Sequence, residues 1–310
     1  MEPFRLSILG CGSALPTMHH LPTCQVVDCR GKLFMIDCGE GAQLQMRRAG
    51  LSFAKLGHIF ISHMHGDHCF GLIGLLSTIG LLGRTAKMHV YADKGLEKIL
   101  LQMMSTFCRD LGYEVEFHAI DTTKQAVIYE DRSLTIETLP LEHRLPCSGF
   151  IFREKPSLPH IRRDMIDCFE VPVSQIQNIK NGQDFIASDG TVIPNERFVF
   201  PAEQPQSYAY VSDTKYMPQL AEAIKGVDLL YHEATYADDN LAMAEKYCHS
   251  TARQAALTAR DAEVGQLLIG HYSSRYTDEN VLLNEAKAVF ENTVLADELN
   301  VIDIEHKKYR

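Results

Sequence analysis

Short apolar runs of strand length alternate with amphipathic stretches along most of this chain. Strand-like runs fall at 4–9, 24–29, 32–36, 58–62, 88–91, 115–120, 133–139 and 149–153, either alternating with period two or apolar throughout, as buried strands are. Apolar positions recur at helical spacing over 41–49, 70–82 and 95–107. Beyond residue 199 the alternation resumes with YAYVS (208–212), VDLLYH (227–232) and QLLIGH (266–271), and helical patterns follow these runs. Each of the three ends on a polar or coordinating residue. Strands and helices in this order predict an α/β layered domain.

The stretch 154–205 breaks the pattern. Pro156, Pro159, Pro172, Pro194 and Pro201 are interleaved with charges and short apolar pieces, so it reads as an excursion from the core. IRRDMIDCF (161–169) and PVSQIQNIK (172–180) each predict a short helix, and SDGT (188–191) is turn chemistry. No internal repeat or low-complexity tract is present.

At 310 residues with 45% hydrophobic content, the chain can bury a large core as one big domain or two small ones. No apolar run approaches the roughly 20 residues that span a bilayer, and residues 1–5 lead into a strand-like run without a signal-peptide pattern. Both features predict a cytoplasmic protein. The nine cysteines contain no CxxC pair, which excludes a disulfide framework and a thiolate zinc site. They read as small buried hydrophobes, with Cys69 packing at a helix start. A formal net charge of −10 excludes strong unselective binding to nucleic acid while leaving room for a local basic site.

The chemistry concentrates in HMHGDH, residues 63–68, where His63, His65, Asp67 and His68 fall within six positions. The apolar run before it and the Leu/Ile/Gly-rich stretch after it place the motif on a strand-to-helix turn. Alternate residues of an extended segment share a face, so His63 and His65 can reach one ion together. Asp67 and His68 follow the turn and face a second ion. Burying four such side chains is costly unless they bind a cation or one another.

Two ions require further ligands, each following a strand so that it projects from the same edge. His143 follows SLTIETLPLE, Asp213 follows YAYVS, and His271 ends the third run. The natural division gives His63, His65 and His143 to one ion and Asp67, His68 and His271 to the other, with Asp213 bridging. Imidazole and carboxylate donors suit zinc and also accept manganese, and a carboxylate can bridge two ions about 3.5–4 Å apart, as in two-metal hydrolases.

HxHxDH, a later His, a strand-end Asp and a final strand-end His resemble the metallo-β-lactamase superfamily. That resemblance implies a four-layer αββα sandwich with a metal site along one edge, and leaves the substrate open. IDCGEGAQLQ (36–45), HGDHCFGLIGLLST (65–78), HEAT (232–235), HSTARQAA (249–256) and HYSSRY (271–276) together resemble the ribonuclease Z family over nearly the whole chain. Members of that family are endoribonucleases that remove the 3′ trailer from precursor tRNA. The resemblance implies two Zn2+ per subunit, a homodimer, precursor tRNA as partner rather than DNA or membrane, and Asp67, Glu233 and His249 as catalytic residues. Asp67 would accept a proton from the attacking water, while Glu233 and His249 would stabilise the scissile phosphate and protonate the leaving oxygen. Thr251 and Gln254 have capping-box spacing, which sets His249 just before a helix N-terminus, a favourable place for a phosphate.

Two segments depart from the family pattern. Its tRNA-gripping arm corresponds here to about 153–182, within one 310-residue domain. Arg153, Lys155, Arg162, Arg163 and Lys180 supply basic residues, yet the only glycine is Gly182, and Val171-Pro172 stands for a Gly-Pro element. TMHHLP (17–22) replaces an Arg-Asn pair and reads as an exposed loop, and the basic end 306–310 reads as a solvated tail. Two other functions are compatible with parts of this pattern. One is a metallo-phosphodiesterase acting on small esters or cyclic nucleotides. The other is a catalytically silent RNA-binding protein, from which ligands should have been lost.

Overall fold

The computed structural model describes residues 4–202 and 204–304. The first three residues and the basic tail lie outside the described residues. Two compact units emerge, one comprising 1–130, 135–153 and 206–310, the other 131–134 and 154–205.

The larger unit opens with an antiparallel meander of β1 (Phe4–Gly10), β2 (Cys24–Cys29) and β3 (Lys32–Ile36). Arg30 and Gly31 both have positive φ in the two-residue turn between β2 and β3, the conformation that matches the twist of a tight hairpin. The Asp28 side chain fixes that turn by accepting from the Gly31 N–H at 2.8 Å. Then β4 (Leu56–Phe60), β5 (Met88–Asp93) and β6 (Val115–Ile120) continue the sheet in parallel. The connections carry α1 (Ala42–Arg48), α2 (Gly66–Cys69), α3 (Leu72–Leu81) and α4 (Lys94–Phe107).

A second sheet begins with β7 (Val127–Glu130), β8 (Leu134–Leu141) and β9 (Cys147–Glu154). The smaller unit then contributes four two-residue strands: β10 (His160–Ile161), β11 (Phe185–Ile186), β12 (Val192–Ile193) and β13 (Val199–Phe200). The chain returns through β14 (Ser207–Val211), β15 (Leu229–Glu233), β16 (Gln266–Gly270) and β17 (Thr293–Leu295), which run parallel, and ends on β18 (Val301–Asp303). The strand orders are β18-β1-β2-β3-β4-β5-β6 and β17-β16-β15-β14-β9-β8-β7.

Alternation along each strand explains the layers. Met35, Ile59 and Val90 point to one face and pack with Leu75, Leu76 and Leu96 of the helices, while Phe34 and Phe60 point to the other. There Phe60 meets Phe150 at 5.5 Å between ring centroids and Phe34 meets Phe152 at 6.2 Å, so aromatic residues fill the space between the sheets. Beyond the second sheet, helix α9 (Ala252–Asp261) presents buried Ala255, Ala256 and Ala259, small side chains that permit close approach to β15 and β16. The result is the expected αββα sandwich. All nine cysteines are free thiols, five of them buried.

The smaller unit also holds α5 (Arg163–Cys168) and α6 (Val173–Lys180), where short helices are predicted. Its core is Ile166, Val171, Ile179, Phe185, Ile193 and Phe198. Val171 is therefore a core residue, and Pro172 caps the start of α6. Arg153 belongs to the larger unit, donating to the Ala223 carbonyl at 3.2 Å and facing Glu137 at 3.6 Å.

Candidate active site

Every sequence-predicted ligand follows the C-terminal end of a strand in the larger unit, the edge where open α/β sheets place their sites. His63 and His65 follow β4, His143 follows β8, Asp213 follows β14 and His271 follows β16. Asp67 and His68 lie on the single turn of α2. His271 takes a positive φ of 61° where the chain leaves β16.

The ligating atoms form two groups that share one carboxylate. His63 Nε2 lies 2.8 Å from His65 Nδ1, and His143 Nε2 lies 3.3 Å from the same atom. Asp213 Oδ2 stands 3.7 Å from His63 and 3.8 Å from His143. In the other group Asp67 Oδ2 is 3.3 Å from His68 Nε2 and 3.5 Å from His271 Nε2. Asp213 Oδ1 completes it at 3.5 Å from His68 and 3.2 Å from His271. Four ligands at about 2.0–2.2 Å around a tetrahedral ion stand roughly 3.3 Å from one another, and both groups have that spacing. The two oxygens of Asp213 face opposite groups.

The interior supplies the reason for this convergence. Each of four imidazoles spends Nδ1 on a fixed partner, leaving Nε2 aimed at the centre. His68 donates to Asp37 Oδ2 at 2.8 Å, His143 to the Cys248 carbonyl at 2.8 Å, His63 to Ser62 Oγ at 3.0 Å, and His271 to Thr235 Oγ1 at 2.8 Å. The Nε2 atoms of His68 and His271 are buried without a hydrogen-bond partner. Orphaned buried nitrogens are costly, and facing two carboxylates they fit a divalent cation.

Charge leads to the same conclusion. Burial pushes His63, His65 and His143 down, keeping them neutral donors. Burial opposes ionisation of Asp213 and Asp67, yet the surrounding histidines, His271 and His68 foremost, hold both below the usual carboxylate range. Burial also disfavours charge on His68, but Asp37, Asp213 and Asp67 override it and push that imidazole well up. Positive charge is therefore stabilised at the centre of the cluster.

Glu233 ends β15, completely buried. His249 lies between α8 (Leu241–Tyr247) and α9, and its Nδ1 donates to Glu233 Oε1 at 2.9 Å. Thr251 and Gln254 form the capping box at the start of α9. Burial lowers the His249 pKa, the Glu233 carboxylate more than offsets this, and the imidazole is pushed up to about 9. Its ring lies 5.1 Å from His143 and 5.5 Å from His271.

Sequence reasoning missed the supports. Asp37 is buried at positive φ and accepts from the Ser62 N–H, Ser62 Oγ, His68 Nδ1 and Tyr210 hydroxyl at 2.6–2.8 Å. Its only sequence signal is an Asp closing an apolar strand before CGEG. Thr235 also went unnoticed, although HEAT contains it: it accepts from His271 and donates to Glu233 Oε2. Cys69 packs as expected, its thiol reaching the His65 carbonyl at 3.2 Å. The exposed-loop reading of 17–22 fails at His20, which is mostly buried between Glu298 at 2.8 Å and Glu279 at 3.1 Å. Opposite charges distant in sequence carry no local pattern.

The site opens into a cleft of about 610 Å³ whose wall includes Phe70, Arg144, Tyr236, Tyr247 and Arg275. Arg275 lies over the Tyr236 ring at 4.9 Å and Arg144 over Tyr247 at 5.6 Å. These cations give an acidic chain a local basic lining.

A family model described as "Anti-Pycsar protein Apyc1" matches residues 4–158, a span holding HMHGDH and His143 but none of the later site residues. Ribonuclease Z of Bacteroides fragilis is 57% identical over 298 residues, covering 96% of this chain and 98% of its own length. Among solved structures, the short form of human tRNase Z aligns with a TM-score of 0.70 at 24% identity, over 97% of this chain and 99% of that one. The metallo-β-lactamase fold protein YhfI from Bacillus subtilis aligns with a TM-score of 0.68 at 18% identity, covering 97% and 99%. With 57% identity to a ribonuclease Z over a span of 298 residues that takes in the whole region from residue 63 to residue 271, and with the fold common to these structures, the chain belongs to the ribonuclease Z family.

Proposed function

We infer that this protein is an endoribonuclease that removes the 3′ trailer from precursor tRNA, working as a zinc-dependent homodimer in the cytoplasm. The observation that carries the reading is the Glu233–His249 pair, hydrogen-bonded at 2.9 Å beside two converging His/Asp groups. A metal site alone serves many hydrolases. A buried acid holding a protonated imidazole next to it answers a specific need, the departure of a poor alkoxide leaving group.

His63, His65 and His143 would hold one divalent ion, Asp67, His68 and His271 a second, and Asp213 both. When bound, such ions supply Lewis acidity toward the phosphoryl group and an attacking water. Asp67, held ionised, takes the proton of that water. As the new P–O bond forms and the P–O3′ bond breaks, His249 Nε2 donates its proton to O3′, because Nδ1 is committed to Glu233. The tRNA keeps a 3′-hydroxyl and the trailer keeps the phosphate. Arg144 and Arg275 in the cleft wall offer positive charge to the RNA backbone, and recognition is of shape and phosphate, as suits folded RNA. The arm at about 153–182, most of which lies in the unit built from 131–134 and 154–205, supplies the grip on tRNA. No helix among the described residues is long and apolar enough to cross a membrane.

The test is cleavage of a precursor tRNA by the zinc-loaded protein, with mapping of both product ends. Cutting at the trailer junction with a 3′-hydroxyl is expected. Failure on a precursor that an authentic ribonuclease Z cuts would overturn the substrate.

A further inference from the structure

The first sheet carries a second histidine cluster that the reaction does not use. His89 on β5 and Glu116 on β6 are register partners, and His118 stands two residues beyond Glu116 on the same face. His89 Nδ1 and His118 Nε2 lie 3.0 Å apart. The Glu116 carboxylate stands 3.9 Å from the first through Oε2 and 3.7 Å from the second through Oε1. These distances bracket the roughly 3.3 Å separation of ligands around a tetrahedral ion.

The rings are held in place from behind. His89 stacks on His58 at 4.9 Å, and His118 stacks on Tyr91 at 4.4 Å, each within 12° of parallel. Neither imidazole has to be ordered on binding, which lowers the entropic cost of forming a site. Partial burial pushes the His118 pKa down, keeping a lone pair available near neutral pH. All three side chains are partly open, at 27%, 39% and 31% exposure for His89, Glu116 and His118, so an ion has a path in and room for water as a remaining ligand. Lys87 now sits on Glu116 Oε2 at 3.2 Å. An entering dication displaces that ammonium, which Glu114 retains at 3.1 Å.

We propose that His89, Glu116 and His118 form a divalent transition-metal site distinct from the catalytic cluster, taking Zn2+ or a similar imidazole-seeking ion. The two-histidine, one-carboxylate donor set excludes the hard Mg2+ and Ca2+. The ion staples β5 to the edge strand β6, and its binding stabilises the folded chain by mass action.

Metal-free full-length protein equilibrated with excess free Zn2+ tests this through its stoichiometry. Wild type takes up one equivalent more than His89→Phe or His118→Phe, substitutions that keep a stacking ring and remove the nitrogen. Glu116→Gln, nearly isosteric, binds that equivalent at least tenfold more weakly. Added Zn2+ raises the melting temperature of wild type beyond that of the Phe variants, and all four proteins melt alike without metal. Equal stoichiometry and affinity across these proteins overturns the site.

Discussion

The two compact units bury different things. The larger one encloses Asp37, His63, His68, Asp213, Glu233 and His271 at 3% exposure or less, each satisfied by a partner or aimed at the ligand centre. The smaller one encloses six apolar side chains and leaves Val173, Ile186, Val192 and Phe200 more than half exposed. Interior charge is tolerated only where a network neutralises it, so chemistry belongs to the first unit. The smaller unit instead sets an apolar core beneath exposed apolar side chains.

Substitutions in each unit test that division directly. The largest effect is expected from Asp67→Ala or His65→Ala, which should abolish cleavage of both precursor tRNA and a chromogenic phosphodiester while circular dichroism stays native. Wild-type turnover in either would end the assignment of the cluster. His249→Ala should lower kcat on precursor tRNA by about a hundredfold to ten-thousandfold, the usual share of a general acid. Because His249 must be protonated and titrates at about 9, the wild-type rate should fall as pH rises through that value. Glu233→Gln, removing the charge that raises it, should move the alkaline limb to lower pH.

In the smaller unit, Phe198→Ala deletes a fully buried ring and should cost about 3–5 kcal/mol, opening 154–205 to proteolysis. KM for precursor tRNA should rise with the rate on the small phosphodiester unchanged. Equal losses on both substrates would show that the two units do not divide binding from chemistry. The smallest effect concerns His20, whose pKa is raised, the Glu298 hydrogen bond outweighing burial. A group with a raised folded pKa stabilises fully below its unfolded value and loses that contribution as pH rises through the folded one. The wild-type melting temperature should therefore decline on that limb by about 2 °C for each kcal/mol lost, and His20→Gln should flatten it.

The legible parts of the molecule were those written locally. Strand periodicity placed β4, β14 and β16, and the residue that ends each run told where a ligand would project. HMHGDH was readable because its four side chains share one turn, and the capping box at Thr251 because its partners are three residues apart. The tertiary supports were not readable. Asp37 and His68 are 31 residues apart and His20 and Glu298 are 278 apart, so only the fold reveals those pairs. β7 was missed because only four residues, two of them exposed, carry it. The His89–Glu116–His118 cluster escaped for a similar reason, since its members meet through strand register rather than spacing.

Asp37 also bears on the order of events during synthesis. Its carboxylate is completed by the Tyr210 hydroxyl at 2.6 Å, from the opposite sheet. The ribosome delivers residues 63–68 long before residue 210 exists, so the nascent N-terminal half holds His63 and His68 with Ser62 and Asp37 but without Asp213 or His271. Docking of the second sheet completes the hydrogen bonds of Asp37 and supplies Asp213 and His271 in the same step. Neither ligand group is complete until the C-terminal half of the chain has been made.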